Sequence, residues 1–186
     1  MQKAVFLDKD GVINHLVLRP DGRMTSPWTL SEFLDSIYPH VIESIQSLKD
    51  MGFMVFVVTN QPGVLDGEML IVELDSICEY LEEQMGVNHV LYALKKDTNL
   101  YKPNNGMIES LMRIYEIDSQ GSYMVGDRWK DIVPGNKSML TTILVGNEHD
   151  YDPPEEYIDM SEPYNVATDL AAAVAIIEME FKNGVR

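Results

Sequence analysis

The stretch from Phe53 to Val58 holds six apolar residues in a row, and it constrains the chain more than any other feature. It is far too short to cross a bilayer, and it lacks the apolar/polar alternation of a strand with one wet face. It suits a strand covered by helices on both faces of a parallel sheet. Ala4 to Leu7, Ser122 to Val125 and Thr142 to Val145 repeat the pattern, and His89 to Leu94 is a weaker instance. Amphipathic stretches lie between these runs. Ser31 can cap a helix carrying Phe33, Leu34, Ile37, Val41, Ile42, Ile45 and Leu48, with Pro39 breaking it in two and Gly52 ending it. Leu70 to Met85, Asn105 to Ile117 and the alanine-rich Asp169 to Phe181 read as further helices. Asp150 to Pro163, rich in acids and prolines, reads as a surface loop. Short strands alternating with longer helices predict an α/β fold with a parallel sheet. With 186 residues and no internal repeat or linker, residues 1–186 are expected to form one domain.

Composition narrows the class. An apolar fraction of 45% supports a packed core. The N-terminus lacks the basic, apolar and small-residue regions of a signal peptide, and the one cysteine, Cys78, has no partner for a disulfide. A reducing cytoplasm is the expected compartment. The formal charge of −16, with fourteen scattered Lys and Arg, argues against nucleic acid as a partner. An anionic ligand would meet a repulsive far field and would need locally concentrated positive charge, such as a metal ion with a few cations.

In a sheet of this kind ligands sit beyond the carboxyl ends of the strands. Three of those ends are unusually polar: Asp8-Lys9-Asp10-Gly11, Thr59-Asn60-Gln61-Pro62-Gly63 and Gly126-Asp127-Arg128-Trp129-Lys130-Asp131. Asp8 and Asp10, one residue apart where Gly11 lets the chain turn, form a carboxylate pair that repels itself unless a cation or proton intervenes. With Asp127 they offer the oxygen ligands a hard Mg²⁺ prefers. Thr59 supplies a hydroxyl after the strongest strand, and Lys102-Pro103 is expected to open the third helix, an anion site by virtue of its dipole. Each signal is modest alone; their order along the chain, at successive strand ends, gives them weight.

Taken together, Asp8-Lys9-Asp10-Gly11-Val12, Val58-Thr59-Asn60, Lys102-Pro103 and Gly126-Asp127-Arg128-Trp129-Lys130-Asp131 resemble the four motifs of the haloacid dehalogenase superfamily of phosphohydrolases. The resemblance covers residues 3–146. The segment 8–14, Pro27-Trp28-Thr29 and the Thr59-to-Gly63 turn are similar to its heptose-bisphosphate and histidinol-phosphate phosphatase branch. The resemblance implies a three-layer Rossmann-like core with little or no cap, and a magnesium-dependent phosphatase of a small metabolite such as a sugar phosphate. It implies Asp8 as nucleophile and Asp10 as general acid and base. Asp8, Asp127 and the Asp10 carbonyl would ligate Mg²⁺, with Asp131 in support. Thr59 and Lys102 would hold the phosphoryl oxygens, and Asn60, Gln61 and Arg128 would contact substrate.

Three departures qualify the resemblance. Leu91 to Pro103 contains no Cys or His, so the structural zinc of many branch members is not expected. Tyr101 replaces the arginine common before the motif lysine, and Asp66 stands where a basic residue often precedes the glycine, here Gly67. Both changes remove positive charge where a second phosphate would sit, leaving a monophosphate as an equal expectation. The expected protein is a monomer that engages neither nucleic acid nor membrane. A histidinol phosphatase, a nucleic-acid 3′-phosphatase and a silent binding protein on the same fold are the alternatives. His15 follows the first motif closely enough to be weighed as a substrate contact, and Trp28, Trp129 and Tyr101 as pocket walls or simple packing.

Overall fold

A computed structural model describes residues 2–146 and 152–184. Six strands form one sheet: β1 (Ala4–Leu7), β4 (Met54–Asn60), β5 (His89–Ala93), β6 (Tyr123–Gly126), β7 (Thr141–Val145) and β8 (Asn165–Ala167). Their order is β5-β4-β1-β6-β7-β8, and every pairing is parallel. The chain builds outward from β1 through β4 to β5, then returns to the other side of β1 for β6. That reversal opens a crevice at the carboxyl end of β1, the usual ligand position in such sheets.

The expected three layers are present. Successive residues of β1 point to opposite faces, so Val5 and Leu7 enter one core while Ala4 and Phe6 enter another. On the first face lie α1 (Leu30–Ser36), α2 (Val41–Asp50), α3 (Ile71–Glu83) and α7 (Leu170–Lys182), burying Phe33, Ile45, Leu48, Ile77, Leu81 and Ile177. On the second, α4 (Gly106–Tyr115) buries Met107, Ile108 and Leu111 against Phe6, Phe56 and Met124. The Phe6 and Phe56 rings stack at 5.4 Å, and Tyr115 packs on Phe56 at 4.8 Å.

The expected strands are all present within a residue or two, as are the helices and the break around Pro39. Five details differ, the first being strand β8, whose three residues carry no apolar run. Thr29, not Ser31, caps α1, its side chain accepting from the Glu32 N–H at 3.2 Å. Residues 129–137 form helix α5 (Trp129–Lys137) despite Pro134, which is buried within it; at Gly135 an added Cβ would lie 2.6 Å from the Thr142 methyl, so the helix needs glycine to pack on the sheet. A two-stranded hairpin, β2 (Val17–Leu18) with β3 (Met24–Thr25), precedes α1 and turns through Pro20-Asp21-Gly22, a proline-aspartate-glycine turn signal. In the expected loop after residue 150, Glu155–Tyr157 is a 3₁₀ turn and Ile158–Ser161 a short helix, α6; Asp150 and Tyr151 lie outside the described residues. No helix among the described residues is long and apolar enough to cross a membrane.

Phe56 joins the sheet to α4 through two ring contacts at zero exposure. Phe56→Ala is expected to cost about 3–5 kcal/mol in a urea unfolding curve.

Candidate active site

Strand β1 delivers Asp8 to the crevice, its N–H bonded to the Val125 carbonyl at 2.9 Å, so the backbone there belongs to the sheet. The chain then turns sharply, with the Gly11 N–H reaching the Asn14 carbonyl at 2.8 Å. Gly11 has φ +93°, and a Cβ there would sit 2.2 Å from Asp127 Oδ2. Glycine is therefore required twice, for the turn and for the approach of Asp127. From the next strand, Gly126 admits Asp131: a Cβ on it would lie 2.1 Å from the Asp131 Cβ.

These close approaches bring Asp8, Asp127 and Asp131 together, with carboxylate oxygens within 4.8 Å of one another. Facing them is Lys102, 4% exposed, whose ammonium donates to Asp8 Oδ1 at 2.6 Å, to the Val58 carbonyl at 2.9 Å and to Asp131 Oδ1. Three carboxylates thus share two cations, Lys102 on Asp8 and Asp131 and the half-exposed Arg128 beside Asp127. Burial first, then repulsion from Asp131, pushes Asp8 up to about 7 against the pull of Lys102. The same causes push Asp127 up to about 8. Asp127 Oδ1 is buried with no hydrogen-bond partner. A divalent cation would supply the missing positive charge and a partner for that oxygen, so the residues present fit a hard metal ion.

Asp10 lies in a different environment. Its Oδ1 accepts from the Lys9 ammonium and from Asn14 Nδ2 at 2.9 Å. Its Oδ2 accepts from Ser26 Oγ at 2.7 Å and Gln61 Nε2 at 2.8 Å. Burial alone would raise this carboxyl, but the Lys9 charge and the hydrogen bonds of Lys9, Asn14 and Ser26 outweigh it and hold Asp10 below the usual carboxylate range. Lys9 is 1% exposed and lies 5.5 Å from the Phe33 ring centre, so it is a buried cation whose partners are built in.

Asp8, Asp10, Thr59, Asn60, Lys102, Arg128 and Asp131 line one pocket of about 230 Å³. Asp127 adjoins it through the acid cluster, and Arg128 Nε lies 3.5 Å from Asp127 Oδ2. Two expected substrate contacts have their side chains otherwise engaged. Gln61 is 2% exposed and bridges Asp10 to Thr59 Oγ1, the latter at 3.0 Å. Asn60 clamps the Lys102 backbone, donating to its carbonyl and accepting from its N–H, both at 3.0 Å. Lys102 itself does not open α4, which begins four residues later at Gly106; its ammonium meets Asp8 and Asp131 rather than a helix end. Asp131 shares the metal-type cluster with Asp8 and Asp127 while accepting from the Arg128 N–H at 3.1 Å at the start of α5. His15 is exposed and packs on Tyr38 with the rings tilted and their centres 3.8 Å apart, outside the pocket lining. Of the aromatics, Tyr101 lines the pocket, whereas Trp28 stacks on Arg19 and Trp129 on Tyr157.

Sequence reasoning missed Lys9, Asn14 and Ser26 as partners of Asp10, and Leu16, Met24, Thr25 and Lys130 as pocket walls. Lys9 and Asn14 flank the first motif; the Pro20-Asp21-Gly22 turn was the available signal for the hairpin that brings Thr25 and Ser26.

Among known proteins, residues 13–152 match the family model described as polynucleotide kinase 3 phosphatase. The chain belongs to that family. It is 29% identical over 149 residues to the D-glycero-beta-D-manno-heptose-1,7-bisphosphate 7-phosphatase of Haemophilus influenzae, covering 73% of this chain and 76% of the relative. With the enzyme of the same name from Helicobacter pylori it shares 25% identity over 165 residues, 84% of this chain and 90% of the relative. The crystal structure of D,D-heptose 1.7-bisphosphate phosphatase from B. bronchiseptica, complexed with magnesium and phosphate, superposes with a TM-score of 0.74. It is 23% identical and covers 96% of this chain and 99% of its own. The fold is thus that of the haloacid dehalogenase phosphatases, and the chain groups with their heptose-bisphosphate branch as a phosphoric monoester hydrolase.

The crowding of acids predicts opposite effects of one substitution. Asp127→Asn relieves repulsion and is expected to stabilise the metal-free protein by about 1 kcal/mol, roughly 2–4 °C in Tm. It should also remove most of the Tm increase that millimolar Mg²⁺ gives the wild type. Differential scanning fluorimetry with and without Mg²⁺ reads both signs.

Proposed function

We propose that this phosphatase hydrolyses a small sugar phosphate, using Asp8 as nucleophile and Asp10 as acid and base. The observation that carries the reading is the contrast between the two carboxylates at the end of β1. Asp8 lies among acids and one lysine, where a cation and an incoming phosphate are the missing partners. Asp10 lies among four neutral or cationic donors, apart from that cluster. Two carboxyls in such different surroundings are suited to two roles: a cation bound among the acids would keep Asp8 ionised for attack, while the donors around Asp10 hold its carboxyl in a fixed plane for proton transfer.

Asp8 attacks phosphorus in line; the new Asp8–phosphorus bond forms as the bond to the leaving oxygen breaks, and Asp10 gives its proton to that oxygen. Water then attacks phosphorus and yields a proton to Asp10 as the Asp8–phosphorus bond breaks, regenerating both carboxyls. Lys102 and Thr59, both buried in the wall of the pocket, hold the phosphoryl oxygens, with Arg128 at the rim. Asn60 and Gln61 act on the substrate through the groups they fix: Asn60 keeps Lys102 aimed, and Gln61 ties Asp10 to Thr59. Asp8, Asp127 and Asp131, with the Asp10 carbonyl, would hold a magnesium ion, which when bound would supply charge neutralisation for the phosphoryl group. The same reading has no structural zinc and describes a cytoplasmic monomer.

The names of the curated relatives support a heptose phosphate as the sugar. The family description favours a second reading, a 3′-phosphatase of nucleic-acid ends. The net charge of −16 counts against that reading, since polynucleotide binding draws on neutralised backbone phosphates.

Phosphate release from heptose mono- and bisphosphates, histidinol phosphate and a 3′-phosphorylated oligonucleotide discriminates these substrates. With Mg²⁺, a heptose phosphate is expected to be the best, and Asp8→Asn to lose at least about 10³-fold in kcat with the fold intact. Preference for the oligonucleotide would replace the sugar reading, and full activity of Asp8→Asn would end the mechanism.

A further inference from the structure

We propose that Arg19 is a positioning residue for the acid/base step, acting on Asp10 through Ser26. This rests on the reading of Asp10 given above. Arg19 comes from the hairpin, makes no contact with the reacting groups, and yet is only 8% exposed. Its guanidinium is held on every side. Both terminal nitrogens grip the Glu32 carboxylate, at 2.7 and 2.9 Å, in a bidentate fork. Nε donates to Thr25 Oγ1 at 2.7 Å, and Nη2 also donates to the Ser26 carbonyl at 2.9 Å. The Trp28 ring lies against the guanidinium, 3.5 Å from ring centre to its carbon.

The far end of this cluster is fixed to the fold. Glu32 is in the first turn of α1, where its carboxylate also accepts from the Trp28 N–H at 2.7 Å. The near end reaches the chemistry. Ser26 Oγ donates to Asp10 Oδ2 at 2.7 Å, and the Ser26 carbonyl is pinned by Arg19 and by Thr25 Oγ1 at 3.0 Å. Pro27 follows and has no N–H with which to anchor this segment. Arg19 therefore sets where the Ser26 hydroxyl sits, and that hydroxyl sets the plane of the Asp10 carboxyl together with Gln61. The other arginine of the hairpin, Arg23, pairs with Asp21 and Glu68 while its own side chain is 56% exposed, so it holds the hairpin only weakly. A lysine at position 19 would keep the charge and lose the planar fork that holds Glu32, Thr25 and Ser26 at once.

The readout is the dependence on the leaving group. A sugar alkoxide must be protonated as it departs, whereas p-nitrophenolate leaves without help, so a misaligned acid penalises the first ester selectively. We expect Arg19→Lys and Ser26→Ala each to lower kcat/KM for the sugar phosphate by about 10-fold or more. The loss for p-nitrophenyl phosphate should stay within about 3-fold, and the double variant should be no more selective than Ser26→Ala alone. Ser26→Ala removes only a hydroxyl and keeps the test open even where Arg19→Lys destabilises the hairpin. Equal losses on both esters, no loss in Ser26→Ala, or selectivities that multiply in the double variant would each overturn the proposal. If Asp8→Asn is inactive in the same assays, such results overturn the Arg19 role alone; if Asp8→Asn still turns over p-nitrophenyl phosphate, the mechanism beneath it fails instead.

Discussion

The site is organised by a shortage of positive charge. Asp8, Asp127 and Asp131 converge from two neighbouring strand ends, with the Lys102 ammonium on Asp8 and Asp131 and the Arg128 guanidinium beside Asp127, and the fold achieves this only because Gly11 and Gly126 leave room for the carboxylates. Burial, then repulsion among these like charges, pushes both Asp8 and Asp127 above the usual carboxylate range. The protein carries this strain in a place where a divalent cation would relieve it.

Around that centre, much of the polar structure positions rather than reacts. Asn60 fixes the Lys102 backbone, Gln61 spans Asp10 and Thr59, and Lys9, Asn14 and Ser26 complete the surround of Asp10. The result is two carboxyls two residues apart in sequence with opposite surroundings. Asp8 faces acids and is raised; Asp10 faces donors and is lowered. One short turn thus carries two carboxyls whose neighbours differ in kind, acids for one and hydrogen-bond donors for the other.

The parts legible in the sequence are those with a period or a dense local motif. Strands β1, β4, β6 and β7 stood out as unbroken apolar runs, and clustered polar residues marked three strand ends, two of them rich in acids. Helix α5 did not, because Pro134-Gly135 imitates a break, whereas packing of Gly135 on Thr142 holds the helix in place. The hairpin escaped because two-residue strands carry no alternation. Ser26 and Asp10 are sixteen positions apart and joined by one hydroxyl, a relation that leaves no trace in residue patterns. Lys9 and Lys102 are nearly fully buried, against the usual habit of lysine, because carboxylates await their ammonium groups; that pairing exists only once the strands assemble.

The central claim is that Asp8 carries the phosphoryl group during turnover. Borohydride quenching of the enzyme during turnover of its best substrate reduces an aspartyl-phosphate to homoserine, which peptide mass spectrometry locates. The account predicts homoserine at position 8 and none at 10, 127 or 131. An unmodified Asp8 alongside a modified carboxyl elsewhere, or no modification under conditions of steady phosphate release, would contradict it.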